Sequence, residues 1–187
     1  GGVWVSFGND HSFAQTESAT YHLDLHLDHA NDHIANYTPR AELLSYFEEF
    51  VDRHGLRKHM FMNRTAAQIV HHADGANSIF YHENDNAKDI FELRASKVLV
   101  FPGRLSLRRD ITYEGEEAFG FPIKYGVGGE VRAADMHGQD VVVVGTGAFG
   151  MENMRLALQQ GAKSVTLLVR RRGTVIPRVG SWAINAS

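Results

Sequence analysis

Apolar residues at helical spacing mark a helix in the first third of the chain. Between positions 43 and 51 they recur every three or four residues, which is the period of one helix face. Thr38-Pro39 offers an N-cap followed by proline at the first helical position, and Gly55 fits the C-terminal stop. The sequence therefore predicts a helix over residues 39–54.

Short strands are predicted after this helix, separated by polar turns. The segments are Met60–Met62, Gln68–Val70, Ser78–Tyr81 and Ile90–Leu93. The apolar run Lys97–Phe101 predicts a further, buried strand. Residues 102–139 are rich in glycine and have little periodicity, which favours a linker between two domains.

The C-terminal part combines a strand, a glycine motif, a helix and a second strand. The four valines Val141–Val144 predict a parallel strand buried on both faces. Gly145-Thr146-Gly147-Ala148-Phe149-Gly150 follows at once and satisfies GxGxxG. A helical segment then leads to Gly161, and Ser164–Val169 predicts the second strand. This context predicts a dinucleotide-binding Rossmann unit.

Each glycine of the motif has a distinct expected role. Gly145 permits the tight turn, Gly147 lets a pyrophosphate approach the backbone, and Gly150 lets helix and strand pack closely. The first amides of the helix would donate to the phosphates. Two alternatives stay open, namely a Rossmann-like packing without a ligand and a different nucleotide such as S-adenosylmethionine.

Three arginines after the second strand favour NADP over NAD. An NAD site usually has an acidic residue about 20 positions past the glycines. Here Arg170, Arg171 and Arg172 occupy that place, and Arg170 follows Gly150 by 20 positions. Arginine presents a planar, always charged fork to a 2′-phosphate, so we expect Arg170 or Arg171 to make the main contact, with Arg172 nearby. The alternative is a solvated basic strand end.

Charge and composition narrow the function classes. Residues 153–187 contain six bases and no acid, a balance that points to an anionic ligand and suits a phosphate better than a nucleic acid. Hydrophobic residues make up 43% of the chain, as in globular proteins. No apolar run predicts a membrane span, and no signal peptide is visible. Cysteine is absent, which fits a reducing compartment, so we expect a cytoplasmic protein.

The segment Val141–Arg178 resembles the NADPH motif of flavin-containing monooxygenases. The similarity includes Glu152-Asn153 after the glycines and Pro177-Arg178 at the end, and it implies that Asn153 belongs to the cofactor-binding residues. Gly1-Gly2-Val3-Trp4 is similar to the family's GGxW segment, and residues 38–56 resemble the helix that follows it. The family's FxGxxxH signature is not found before the second glycine motif.

The resemblance implies an α/β flavoprotein with parts of two Rossmann-like domains. Residues 1–104 would be the remainder of an FAD domain, 105–139 a linker and 140–187 the start of an NADP domain. Gly1, Gly2 and Trp4 would lie close to FAD. The FAD glycine motif would precede Gly1, so the chain is expected to be an internal piece that is inactive alone.

The implied activity is a monooxygenase that uses FAD, NADPH and O2. Its small-molecule substrate would be a soft nitrogen or sulfur nucleophile or a ketone. The sequence identifies no catalytic residue, substrate or oligomeric state. Alternatives are another FAD- and NAD(P)H-dependent oxidoreductase, such as a disulfide reductase, and a non-catalytic nucleotide- or metal-binding module. The absence of cysteine argues mildly against the reductase.

Four histidines raise the metal alternative. His22, His26, His29 and His33 would share one face of a helix and could bind zinc, nickel or copper. The same stretch also alternates polar and apolar residues as a half-buried strand does. Because the two periods conflict, no metal site is predicted there.

Overall fold

The computed structural model describes residues 2–21, 23, 35–103 and 107–171. The chain forms two compact units, unit 1 comprising Gly1–Phe50 with Gly103–Ser187, and unit 2 comprising Val51–Pro102. The helices are α1 (Val3–Ser6), α2 (Arg40–Arg53) and α3 (Ala148–Gln159), and the strands are β1 (Arg64–His71), β2 (Asn77–Glu83), β3 (Asn86–Ala95), β4 (Asp140–Val144) and β5 (Ser164–Leu168). The fold class is α/β, as predicted.

Helix α2 is the helix predicted over residues 39–54. It begins directly after Pro39, and Gly55 follows its end with a φ of 61°, the left-handed conformation that suits glycine. The expected cap differs, because the hydroxyl of Thr38 donates a hydrogen bond to the carbonyl of Ala35. The proline and the glycine thus mark the helix ends more reliably than the threonine does.

One hydrophobic cluster of unit 1 is built on α2. Leu43 and Tyr46 are buried, and Trp4, Tyr21 and Phe47 pack against them. This cluster fixes α1 beside the first half of α2, because Trp4 belongs to α1.

Unit 2 contains an antiparallel three-stranded sheet in the order β1-β2-β3. The cross-strand row Ile69, Ile79 and Leu93 aligns apolar side chains on one face. Residues Asn84 and Asp85 form a two-residue turn between β2 and β3. The predictions for the middle strands were therefore correct in type but too short.

Two strand predictions in unit 2 were wrong. Met60–Met62 and Lys97–Phe101 are not strands, and Leu99 and Phe101 are 81% and 86% exposed. An apolar run becomes a strand only where a second strand pairs with it, and the described residues pair none with either segment. The apolar pattern alone carried no information about that partner.

The second sheet contains β4 and β5, paired in parallel from Asp140 beside Ser164 to Val144 beside Leu168. The connection between them includes α3. The strand–helix–strand unit predicted from the glycine motif is thus observed. Its expected burial on both faces was wrong, because Val142 and Val144 are 56% and 64% exposed. Helix α3 packs on this sheet, and only the alternate positions of β4 are half-buried.

A second hydrophobic cluster of unit 1 lies between α3 and this sheet. Met136, Leu156 and Ala157 are buried at its centre. Partly buried residues pack around them, namely Val131, Ala133, Val141, Ala162 and Val165. The helix is thereby held on the sheet, which determines where its first turn lies relative to the end of β4.

The described part of the predicted linker is organised by polar contacts. Arg108 forms ion pairs with Asp110 and Glu130, and its guanidinium lies 4.7 Å from the ring centre of Tyr125. The amide of Tyr125 also donates a hydrogen bond to Glu130. This bond and then the pairing with Arg108 hold the pKa of Glu130 below its usual range.

No helix within the described ranges is long and apolar enough to cross a membrane.

Candidate functional site

The turn after β4 is held against the end of β5. Gly145 has a φ of 106°, a conformation that residues with a side chain rarely adopt. Its amide donates to the carbonyl of Leu168 at 2.9 Å. The chain therefore leaves β4 at a fixed angle, directly beside the point where it leaves β5.

Gly150 is required by the close contact between α3 and this turn. A Cβ atom on Gly150 would overlap the carbonyl oxygen of Gly145 and would also lie 3.9 Å from Cγ1 of Val143. Such an overlap is with backbone and cannot be relieved by rotating a side chain. The first turn of α3 thus passes over the end of β4 at a distance that only glycine permits.

Gly147 faces open space at the start of α3. A Cβ atom there would meet nothing within 4 Å, although its φ of −69° suits any residue. Gly147 is the N-cap, and no side chain caps the helix. The first amides of a helix have no acceptor within it, so this end presents free donors and the positive end of the helix dipole. The arrangement suits an anionic group close to the backbone.

The remaining motif residues lie in the same turn. Thr146, between Gly145 and Gly147, is half-buried, and Ala148 and Phe149 are the first two residues of α3. The carbonyl of Ala148 accepts a hydrogen bond from Nε2 of Gln15 at 2.9 Å. The glycine motif is thus in contact with the N-terminal segment of unit 1, which the sequence did not predict.

Two arginines stand at the same end of the sheet as the motif. Arg170 and Arg171 follow β5 and are exposed, and within the described part of the chain neither is bound to an acidic partner. Because β4 and β5 are parallel, residues after β5 leave the sheet at the edge where the motif lies. Arg172 is outside the described residues. The backbone N–H groups at the start of α3 could donate to the pyrophosphate of a dinucleotide. The exposed guanidinium groups of Arg170 and Arg171 have the charge and geometry to bind a 2′-phosphate.

Val3 and Trp4 of the GGxW segment belong to α1 in unit 1. Gly2 precedes it with a φ of 85°, and Trp4 packs edge-on against Tyr21 with ring centres 5.7 Å apart. Nε of Arg40 donates to the carbonyl of Trp4 at 2.5 Å. Burial raises the pKa of the Tyr21 hydroxyl, and a hydrogen bond with Trp4 partly offsets that effect. Gly1 is outside the described residues.

Asn153 is a buried polar residue in α3, with 8% of its surface exposed. Its Nδ2 donates to the carbonyls of Phe149 at 2.7 Å and of Gly126 at 2.8 Å. Its Oδ1 is buried without a hydrogen-bond partner in the described structure. The family resemblance implied a place for Asn153 at the cofactor, whereas the sequence did not predict a role for Gly126, whose only signal was the glycine-rich stretch 126–129.

Arg155 was not predicted as a site residue. Its guanidinium binds Glu152 at 2.8 Å, donates to the carbonyl of His11 at 2.8 Å and lies 4.6 Å from the ring centre of Phe13. It also donates to the side chain of Gln159. Arg155 therefore ties α3 to the N-terminal segment, together with Gln15.

No group of three or more metal-ligating side chains occurs in the described ranges. The histidines considered for a metal site lie outside the described residues, namely His22, His26, His29 and His33. The side-chain oxygen of Asn9, in the segment after α1, accepts from the amide of His11 at 2.9 Å and from the hydroxyl of Ser12 at 3.1 Å. This oxygen thus stabilises a local turn.

The chain matches no protein-family model and no curated protein sequence. Solved structures do share its fold. Tmm from Pelagibacter sp. strain HTCC7211 is 22% identical, with a TM-score of 0.59 over 87% of this chain and 36% of that chain. The bacillithiol disulfide reductase Bdr (YpdA) from Bacillus cereus is 17% identical, with a TM-score of 0.59 over 98% of this chain and 52% of that chain.

A third similar structure is the S-allyl-L-cysteine S-oxygenase from Allium sativum. It is 21% identical, with a TM-score of 0.54 over 80% of this chain and 34% of that chain. The chain thus spans between about a third and about half of the length of these three proteins. At these identities the likeness establishes the fold.

Proposed function

We propose that the chain binds NADP(H) at the carboxyl ends of β4 and β5. One observation carries the proposal: a GxGxxG turn, whose open Gly147 is the N-cap of α3, lies at the same end of the β4–β5 sheet as two arginines that have no acidic partner among the described residues. The first amides of α3 bind the pyrophosphate, and Gly147 leaves room for it. Arg170 or Arg171 makes the main contact with the 2′-phosphate, which NADH lacks.

At the level of the whole protein, the proposal is an FAD- and NADPH-dependent monooxygenase. Its substrates are O2 and a small molecule with a soft nitrogen or sulfur nucleophile or a ketone. Support comes from the resemblance of the glycine motif and of Gly1-Gly2-Val3-Trp4 to that family, and from a structural neighbour that is an S-oxygenase. When bound, flavin would supply the redox chemistry between NADPH and O2.

The chain's own residues would bind and orient the nucleotide. Gly145 and Gly150 hold the turn against the sheet, and α3 directs its free amides towards the phosphates. These contacts would hold a bound nucleotide in a fixed orientation relative to the sheet.

A binding experiment tests the nucleotide proposal directly. Isothermal titration of the purified chain with NADP+, NAD+ and adenosine 2′-monophosphate compares the 2′-phosphate with the rest of the ligand. We expect NADP+ to bind at least about tenfold more tightly than NAD+, which corresponds to about 1.4 kcal/mol. Equal binding of NADP+ and NAD+ would show that the arginines do not read the 2′-phosphate, and no binding of either would refute the site.

The disulfide reductase alternative rests on one comparison. The bacillithiol disulfide reductase matches 98% of this chain, compared with 87% for Tmm and 80% for the S-oxygenase. The 187 residues contain no cysteine, so a thiol for disulfide exchange would have to come from elsewhere. NADPH-dependent O2 consumption by the protein with flavin, without added disulfide, favours the monooxygenase. NADPH oxidation only with a disulfide favours the reductase.

A further inference from the structure

We infer that Asn153 is the positioning residue of the dinucleotide site, acting on the glycine motif from beneath rather than by touching the ligand. The inference rests on the proposed function, since it describes how the same site is held. It assigns a role to the contact between α3 and the glycine-rich segment 126–129, which we call the glycine loop.

The direction of the Asn153 amide is determined by its partners. The groups at 2.7 and 2.8 Å from Nδ2 are both carbonyl oxygens, of Phe149 and Gly126. Carbonyls only accept hydrogen bonds, so the amide nitrogen must point at them. An aspartate has the same shape as asparagine but could donate to neither carbonyl when ionised. The position therefore selects for an amide.

Phe149 belongs to the glycine motif, so one of these hydrogen bonds acts on the site itself. Its carbonyl lies in the first turn of α3, between the open Gly147 and the tightly packed Gly150. Holding that carbonyl holds the peptide planes whose amides face the proposed phosphate position. Asn153 is thus linked to the ligand through one backbone group.

The glycine loop is shaped to receive Asn153. A Cβ atom on Gly126 would lie 2.6 Å from Nδ2 and 3.3 Å from Cγ of Asn153. Gly126 itself does not have a positive φ, so the requirement for glycine here is spatial. Two residues farther on, the amide of Gly128 donates to the carbonyl of Phe7 at 2.7 Å. The loop therefore joins the motif to the end of α1.

Among the described residues, Oδ1 of Asn153 is buried without a hydrogen-bond partner, so this side chain bonds only through the N–H donors of Nδ2. Leaving a buried acceptor without a partner is costly, and a serine or alanine would avoid that cost. A requirement to fix two carbonyls at once accounts for this arrangement.

The test compares two ligands that share the 2′-phosphate, only one of which has a pyrophosphate. NADP+ spans the arginines and the glycine motif, whereas adenosine 2′-monophosphate carries only the 2′-phosphate and lacks the pyrophosphate. For Asn153→Asp we expect the Kd of NADP+ to rise about tenfold, while that of adenosine 2′-monophosphate changes less than about twofold. Arg155→Ala is the matched control on the same helix, expected to lower the melting temperature while leaving the ratio of the two affinities unchanged.

Gly126→Ala tests the same contact by changing the glycine loop instead of Asn153. Its added methyl group must displace the Asn153 amide, so this variant should raise the Kd of NADP+ in the same way. In the double variant Gly126→Ala with Asn153→Ala, the methyl group finds space, and the two effects should be less than additive. This cycle also decides the matter if Asn153→Asp does not fold.

The outcomes separate this inference from the proposed function. If both affinities fall together, or if NADP+ binding is unchanged, Asn153 has no positioning role although the site stands. Additive effects in the double variant would also overturn it. Failure of the wild-type chain to bind either ligand would instead refute the nucleotide site.

Discussion

The carbonyl oxygen of Gly145 occupies the space that a side chain on Gly150 would need. Gly150→Ala therefore forces α3 away from β4, since both colliding groups belong to the backbone or lie next to it. We expect a loss of about 1–3 kcal/mol in the free energy of unfolding, measured by urea denaturation, with loss of NADP+ binding. An unchanged stability would mean that the helix can shift without cost.

Gly147→Ala should separate binding from folding. No atom lies within 4 Å of the added methyl group, and the backbone conformation is an ordinary one. Stability should stay within about 0.5 kcal/mol of the wild type, while NADP+ binding falls because the methyl group occupies the ligand's approach to the backbone. Titration of this variant beside Gly150→Ala makes the comparison, and full retention of NADP+ binding would contradict a phosphate at this glycine.

The arginines after β5 should determine the preference for the 2′-phosphate. Replacing the main contact, either Arg170 or Arg171, by alanine should cost about 1.5–3 kcal/mol of NADPH affinity. Binding of NADH should be unaffected. Each single variant titrated with both nucleotides identifies the contact, and an equal loss for NADH and NADPH would refute the assignment.

Asp140 should make the β4–β5 pair sensitive to acid. Hydrogen bonds from Ser164 and then from Lys163 hold the pKa of its carboxyl below the usual range. A carboxyl whose pKa is lowered in the folded state stabilises the protein above its unfolded pKa, about 3.9, and this contribution disappears as the pH falls through the folded pKa. Asp140→Asn should therefore lose less stability than the wild type between pH 7 and pH 3.

Thermal melts at the two pH values measure this effect. Ser164→Ala is the matched variant, because the serine hydroxyl is the largest cause of the lowered pKa. Both substitutions should reduce the difference between the two melting temperatures. The same difference in all three proteins would show that the ion pair at the start of the sheet does not contribute.

Arg155→Ala should destabilise unit 1 more than loss of an exposed ion pair does. Its side chain and that of Glu152 are only 20% and 19% exposed, and the substitution also removes the bond to the His11 carbonyl. We expect a loss of about 2 kcal/mol in urea denaturation. Arg94→Ala, which breaks the Arg94–Asp74 pair where both side chains are 58% exposed, should cost about 0–1 kcal/mol. Equal losses would mean that the contacts of Arg155 are not coupled to folding.

Local sequence signals predicted the parts of the fold that depend on neighbours in the chain. Pro39 and Gly55 marked α2, and the GxGxxG spacing marked the turn between β4 and α3. At Pro39, Gly55 and Gly145, the backbone conformation that the structure needs is one that proline or glycine favours. These signals would be expected to hold in any tertiary context.

Features that depend on distant partners were not predictable in this way. The Lys97–Phe101 run is apolar enough for a buried strand, yet no described strand pairs with it. The contact between Asn153 and Gly126 joins residues 27 positions apart, and neither residue type predicts that the other is its partner. Arg155 reaches the carbonyl of His11 across 144 positions. Such pairings come from packing, which a hydrophobic pattern does not specify.

The two sheets differ in how far apart along the chain their pairing partners lie, and this has a consequence for the order of folding. The β2–β3 hairpin closes through the two residues Asn84 and Asp85, so it can form on the microsecond timescale typical of hairpins. Asp140 and Ser164 pair across 24 positions, with α3 between them, so loop-closure entropy must be overcome before any parallel hydrogen bond forms. The meander of unit 2 should thus gain protection from hydrogen exchange first, and the β4–β5 sheet with the glycine motif should be assembled last during refolding.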